Sequence, residues 1–184
     1  MNEKIEHLHE ETNPWMKALY LKEKKIKEIL DSTGKDIFLI PGNHDQTEWK
    51  DYKRIRNLHN RRIELNNYNS VGYKWTKLHR NEEDHHKDIE ELMNLVDKKT
   101  ILVTHEPPYG ILDVGSYTDK KLHHIGSKEL IYLIRSNKPK LHLFGHTHSN
   151  AGRKGKFING SFPKIQYFFD IKLGLINVIK IVVP

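Results

Sequence analysis

Three short apolar runs in this chain end, with no spacer, in polar residues of the kind that bind metal ions. Asp36 to Ile40 leads into Pro41-Gly42-Asn43-His44-Asp45. Thr100 to Val103 leads into Thr104-His105-Glu106-Pro107-Pro108, and Leu141 to Phe144 into Gly145-His146-Thr147-His148. Apolar runs this short, bounded by turn formers, read as buried strands. Strands buried on both faces and separated by helix-length segments belong to an α/β sheet. The carboxyl ends of parallel strands share one edge of such a sheet, and ligands bind there. Residues sixty and forty positions apart are therefore expected to meet.

The intervening segments fit this scheme. From Trp15 onward, Leu19, Ile26, Ile29 and Leu30 recur at helical spacing, and Gly34 offers a stop. In Glu82 to Val96, the residues Ile89, Leu92, Met93 and Val96 form an amphipathic stripe. Ser127 can cap a helix carrying Leu130, Ile131, Leu133 and Ile134, which ends near Asn137 because Pro139 follows. Gln46 to Arg62 is polar and helix-compatible, and Asn66 to Lys77 reads as loop or weak strand. Phe157-Ile158, Ile165 to Ile171 and Leu175 to Val183 read as strands. The expected organisation is one domain over 1–184, with the motif-bearing part at 36–161.

Composition narrows the chemistry. Histidine occurs 13 times in 184 residues and cysteine not at all. That removes disulfides, cysteine-ligated zinc, iron–sulfur clusters and a thiol nucleophile. It leaves imidazole, the commonest metal ligand. Met1 to Glu11 is charged and lacks an apolar segment, so no secretory signal is visible, and no run is long enough for a membrane helix. A cytoplasmic location is expected. The net charge of +7 favours anionic partners. Its lysines are dispersed, so phosphate-ester substrates rank above nucleic acid.

Most histidines are expected at the surface. His7 and His9 follow no strand, and His79, His85 and His86 sit beside acidic residues at a solvated helix start. Tyr68, Tyr73 and Trp75 with Lys74 and Lys77 read as a half-exposed hairpin, and one of His123 and His124 is a candidate for substrate contact. The strand exits differ. Two histidines at i and i+2 in a tight loop are seldom needed for packing. Neutral imidazoles with an amide oxygen suit Mn, Fe, Zn or similar divalent ions. Two such ions can clamp a phosphate ester and activate water for in-line attack.

Gly42-Asn43-His44-Asp45, Thr104-His105 and Gly145-His146-Thr147-His148 resemble the later motifs of the calcineurin-like metallophosphoesterase superfamily. The stretch from His105 to Asp113, Lys138 to His146, and Ile158-Asn159-Gly160-Ser161 resemble one subgroup of small metallophosphoesterases. The resemblance implies an αββα fold, two sheets in a sandwich flanked by helices. It implies a hydrolase with two divalent metals (Mn, Fe, Zn, Ni or Mg) and a hydroxide nucleophile, acting on phosphate esters, more readily diesters. It implies that Asn43, His105 and His146 ligate one ion and His148 the other. By the same resemblance, His44 meets the leaving group and Asp45 orients it. A nuclease of the same superfamily is the competing enzyme reading.

The superfamily's earlier motifs, Asp-x-His and Gly-Asp-x-x-Asp at the ends of two further strands, have no counterpart here. No carboxylate before Gly42 follows an apolar strand. The expectation is an N-terminally truncated domain, in which Met1 to Leu30 is the helix joining the second and third family strands. A complementing N-terminal segment or chain, or a catalytically incomplete domain that serves as a binding or partner subunit, are the other accounts.

Overall fold

The computed structural model of the chain describes residues 14–43, 45, 49–74, 82–116, 121–161, 165–172 and 175–182. His7, His9, His44, Trp75, Lys77 and His79, all considered above, lie outside them. The fold is mixed α/β, with three helices and a six-stranded sheet among the described residues. Helix α1 spans Pro14–Ser32, with proline at its first position, where no backbone donor is lost. Its Lys27 donates to Lys50 O at 2.9 Å and pairs with Glu23, while Lys53 pairs with Asp31 at 3.0 Å. These contacts fasten α1 to the segment after the first strand.

Strands β1 (Ile37–Leu39) and β2 (Ile55–Asn57) pair in parallel as a small sheet. The large sheet contains β3 (Arg62–Leu65), β4 (Tyr68–Tyr73), β5 (Thr100–Thr104), β8 (Leu141–Phe144), β9 (Gly152–Lys154) and β10 (Phe157–Asn159), in the order β3-β4-β5-β8-β10-β9. Its four central strands run parallel and its edge strands antiparallel. Helices α2 (Glu82–Leu95) and α3 (Lys128–Asn137) form the crossovers before and after β5. Both lie on one sheet face, where Val71, Tyr73, Ile89, Leu92, Leu102, Leu130 and Leu133 form the core. Tyr68, Ile101, Leu141 and Ile158 cluster separately, on alternate strand positions that point to the other face. Helix α3 begins as expected: Ser127 Oγ accepts from Leu130 N at 3.1 Å, and Lys138 closes the helix in the left-handed region at φ 53°. A hairpin of β6 (Val114–Ser116) and β7 (Leu122–His124) projects after β5, and β11 (Ile165–Lys172) pairs with β12 (Leu175–Val182). Among the described residues no helix is long and apolar enough to cross a membrane.

Two segments depart from the reading of the sequence. Gln46 to Arg62 is not helical where it is described; Ile55 and Leu58, three apart, occupy strand β2 and its exit rather than a helix face. Ile55 is buried in the parallel ladder, and the Leu58 N–H donates to Leu39 O at 2.9 Å. Asn66 to Lys77, left open between loop and strand, contains β4, which is buried along its whole length. Asn69 and Ser70 are tolerated there because Asn69 bonds Thr100 and Asp97, and Ser70 bonds Ile101 O. Gly72 joins the two sheets: its N–H donates to Leu58 O at 3.1 Å. A Cβ on Gly72 would stand 2.4 Å from Leu58 Cβ, so no larger residue fits.

His142 on β8 is fully buried. Thr104 Oγ1 gives its single proton to Glu106 O at 2.6 Å, so the 2.8 Å contact with His142 Nε2 requires the imidazole to donate. Burial, with the nearby Lys156 charge, pushes His142 down to about 3 from its ordinary 6.5. The folded state therefore holds a neutral ring where the unfolded chain takes up a proton below pH ~6.5. The stability this supports is complete above that pH and declines as pH falls toward about 3. We expect urea-unfolding free energies at pH 7, 5.5 and 4.5 to fall more steeply in the wild type than in His142→Leu. Parallel pH slopes would remove His142 as the source.

Candidate metal centre

The site forms where three strands end. Past β1, Gly42 to Asp45 makes a turn closed by Asp45 N to Gly42 O at 3.1 Å and by Gly42 N to Asp45 Oδ2 at 2.6 Å. The Trp49 indole donates to Asp45 Oδ1 at 3.0 Å. Asp45 thus braces the loop that presents Asn43. His44, its sequence neighbour in the same motif, lies outside the described residues.

His105 follows β5 directly, and its N–H donates to Tyr73 O at 3.1 Å, prolonging the β4–β5 ladder by one residue. Its ring lies against Gly42, where a Cβ would stand 2.7 Å from both Cε1 and Nδ1. The glycine is required here by contact, not by backbone angle. His105 Nε2 lies 2.8 Å from Asn43 Oδ1 and 3.1 Å from His146 Nδ1, with Asn43 N at 3.3 Å. The two imidazoles meet edge on, centroids 4.9 Å apart.

His146 reaches this point from an unusual backbone. Thr147 N donates to Gly145 O at 2.9 Å, an i to i+2 bond, around a central residue with φ 71°. That is a γ-turn of the rare, strained kind, unfavourable for a residue with a Cβ. The turn is clamped from both sides. Thr147 Oγ1 donates to Leu112 O at 2.8 Å. The fully buried Asn159 donates to Thr147 O at 2.9 Å, to Thr147 Oγ1 at 2.7 Å and to Leu112 O at 3.2 Å. Ser161 in turn holds Asn159 Oδ1, with its N–H at 3.0 Å and its hydroxyl at 2.6 Å. Gly145 N donates to His105 O at 3.1 Å and ties the two histidine loops together. Thr147 and Asn159 are the residues that motif reading missed as functional. The Ile-Asn-Gly-Ser match marked the stretch without revealing that Asn159 buttresses the His146 turn.

Of the residues singled out from the sequence, Asn43, His105 and His146 therefore converge. His148 opens the 3₁₀ turn His148–Asn150, is exposed, and stands outside the three-way contact. His123 and His124 lie on β7, in a hairpin anchored to the segment after His146: Asn150 Oδ1 accepts from Val114 N at 3.1 Å, and Ser149 Oγ donates to Val114 O at 2.6 Å. An open groove of about 590 Å³ between Arg62, Tyr68, Asp97 and Asn137 is at the opposite end of the sheet, and its Arg62 and Asp97 pair with each other at 2.9 Å.

The convergent donors fit a cation. His105 Nε2 carries at most one proton, yet it faces an amide oxygen, an imidazole nitrogen and a backbone N–H. A cation shared by the three lone pairs would satisfy the oxygen and both nitrogens, and the Asn43 N–H would then need an acceptor other than His105 Nε2. Donors bound at ~2.1 Å around one six-coordinate ion stand ~3 Å apart, close to the 2.8 and 3.1 Å seen here. Two imidazoles and an amide suit borderline transition ions better than Ca. Among the described residues no group of three or more His, Asp or Glu side chains assembles; the described donors are two histidines and an asparagine.

The chain is similar to known proteins. The sequence model of the calcineurin-like phosphoesterase family matches residues 10–150. Metallophosphoesterase domain-containing protein 1 of Homo sapiens is 35% identical over 83 residues, 42% of this chain and 24% of the relative. The protein of the same name from Mus musculus matches to the same extent, so the match spans about a quarter of these relatives' length. A solved crystal structure superposes with a TM-score of 0.58 over 97% of this chain and 80% of its own, at 19% identity, which is a likeness of fold.

Two substitutions test how the centre is built. Gly42→Ala should fold at a cost of about 1–3 kcal/mol from overpacking. By displacing the His105 ring it should weaken zinc binding, read by calorimetry, about tenfold or more. Asn159→Ala leaves Thr147 O without its buried donor and should cost about 1–3 kcal/mol in denaturant unfolding, with a parallel loss of zinc affinity. Zinc affinity unchanged in both would mean that neither contact positions the donors.

Proposed function

The chain belongs to the calcineurin-like phosphoesterase family, and from that premise we propose that it acts in metal-dependent hydrolysis of phosphate esters, with small phosphodiesters as its substrate class. The observation that carries this reading is that Asn43 Oδ1 and His146 Nδ1 lie 2.8 and 3.1 Å from His105 Nε2, the three residues coming from separate strand exits. These three would hold one divalent ion. A bound ion supplies Lewis-acid stabilisation of the charge that builds on the phosphoryl oxygens.

The chain's own residues set the geometry. His105, fixed between Gly42 and Asn43, and His146, held by its clamped turn, orient the donor atoms before any ligand arrives, so little reorganisation is needed at reaction. Gly42 lets the His105 ring seat directly on the loop that presents Asn43. In this proposal His44 gives a proton to the leaving oxygen, and Asp45 holds the turn that carries it. His148, exposed two residues beyond His146, is the proposed ligand of a second ion. The dispersed lysines favour a small diester over a nucleic acid.

A second reading rests on one observation: the described donor set carries no negative charge. A centre of this kind can hold an ion without turning over substrate, and the chain would then serve as a metal-binding partner domain. Manganese-dependent hydrolysis of bis(p-nitrophenyl) phosphate separates the two. Turnover that falls about 100-fold in His146→Ala is the expected result. Absence of turnover from folded protein, with zinc uptake still lost in His146→Ala, would favour the partner domain. Faster cleavage of plasmid than of the small diester would move the substrate to nucleic acid.

A further inference from the structure

Asp113 is 1% exposed, yet its carboxylate holds a surface histidine. Oδ1 accepts from His124 Nδ1 at 2.8 Å, while Oδ2 accepts from Gly110 N at 2.8 Å and from Gly126 N at 3.3 Å. The His124 side chain is 51% exposed, so the core gains no apolar burial from it. What the bond achieves is to fix the plane of an exposed ring. Beside that ring stands Tyr109, 40% exposed, with centroids 5.4 Å apart and planes at 48°. Lys128 Nζ lies 5.7 Å from the Tyr109 ring centre. The only carboxylate next to it in sequence, Glu129, accepts a hydrogen bond from Ser127 Oγ at 2.8 Å.

The backbone beneath this pair is stiff. Tyr109 N donates to Ser127 O and Ser127 N to Pro107 O, both at 2.9 Å. Gly126 packs so closely on Pro108 that a Cβ would stand 2.8 Å from its carbonyl. Tyr109 is four residues after His105 on the same loop. Leu112, next to Asp113, accepts the hydrogen bonds that clamp the His146 turn. Tyr109 thus shares the loop of His105, and His124 lies on a hairpin hydrogen-bonded through Val114 to Ser149 and Asn150, just beyond the His146 turn.

We propose that Tyr109 and His124 form a stacking platform for the ring of an aromatic phosphate ester, with Lys128 drawing in its negative charge and Asp113 positioning His124. The proposal rests on the phosphoesterase reading and narrows its substrate class to aryl or nucleoside esters. Stacking on a half-exposed aromatic pair is worth a discrimination of about fivefold. An alkyl ester with the same phosphate has no ring to stack and gains nothing from the platform.

Binding of phenyl phosphate and methyl phosphate to the full chain, with zinc present, tests this by calorimetry. The wild type should bind phenyl phosphate about fivefold more tightly. Tyr109→Ala and His124→Ala should each bring the ratio close to one without changing methyl phosphate binding, and His124→Phe should restore it. Asp113→Asn should lower the ratio part way; should that variant unfold, the other three still decide. A wild-type ratio near one, a ratio that survives Tyr109→Ala, or no binding of either ester up to about 10 mM would overturn the platform. Zinc uptake that persists in His146→Ala would strike the metal reading instead, so the two failures are distinguishable.

Discussion

The candidate metal centre depends on a strained turn that would not persist alone. His146 sits at φ 71° inside an i to i+2 bond, a conformation that costs an L-residue roughly 1–3 kcal/mol. Thr147 and Asn159 hold it there through hydrogen bonds made out of contact with water, where breaking any one leaves a polar group unsatisfied. The strain and the clamp lie in one small volume. Asn159 is the last residue of β10, paired to β8 in parallel, so the strand that follows the His146 loop returns to lock it. A histidine in a relaxed loop would meet His105 only part of the time.

The order of strands does the rest of the positioning. β5 and β8 are neighbours in register, so their exits, and with them His105 and His146, emerge side by side. Asn43 arrives from a different sheet, and its approach depends on two close contacts. Gly72 lets Leu58 and Ile40 press against β4, and Gly42 lets the His105 ring press against the loop after β1. Both glycines act through the space they leave. The junction of the two sheets and the floor of the site are therefore one packing problem, solved at its two ends by the absence of a side chain.

The sequence made the strand exits more legible than some of the strands. The runs at 36–40, 100–103 and 141–144 are mostly apolar with abrupt polar exits, and each contains a strand with a candidate donor residue beyond its end. Helices α2 and α3 carried clean stripes, and Ser127 and Pro139 framed the second. Strand β2 was hidden because its one deeply buried residue, Ile55, is followed by a buried leucine three positions later, a spacing a helix also produces. Strand β4 was hidden because its interior is partly polar. Asn69 and Ser70 look like loop residues until their partners Thr100, Asp97 and Ile101 are known, and those lie some thirty residues away. The role of Asn159 was illegible for the same reason: a buried side-chain amide takes its meaning from the carbonyls it reaches.

The charge of such a centre ties its parts together. The described donors, two imidazoles and an amide, would leave a dication with its full charge, in a chain that carries +7. Desolvating an uncompensated dication is unfavourable, so neutral donors alone hold it less firmly than donors that include carboxylates. An anionic phosphate ester at the same point would supply the compensation. Ion and ester then favour each other's binding by the same factor, as linkage requires. On this argument preorganisation has to do what charge does not: the clamped His146 turn and the His105 ring seated on Gly42 fix the donors in advance, and the entropy of assembling them is not charged against a weakly held ion.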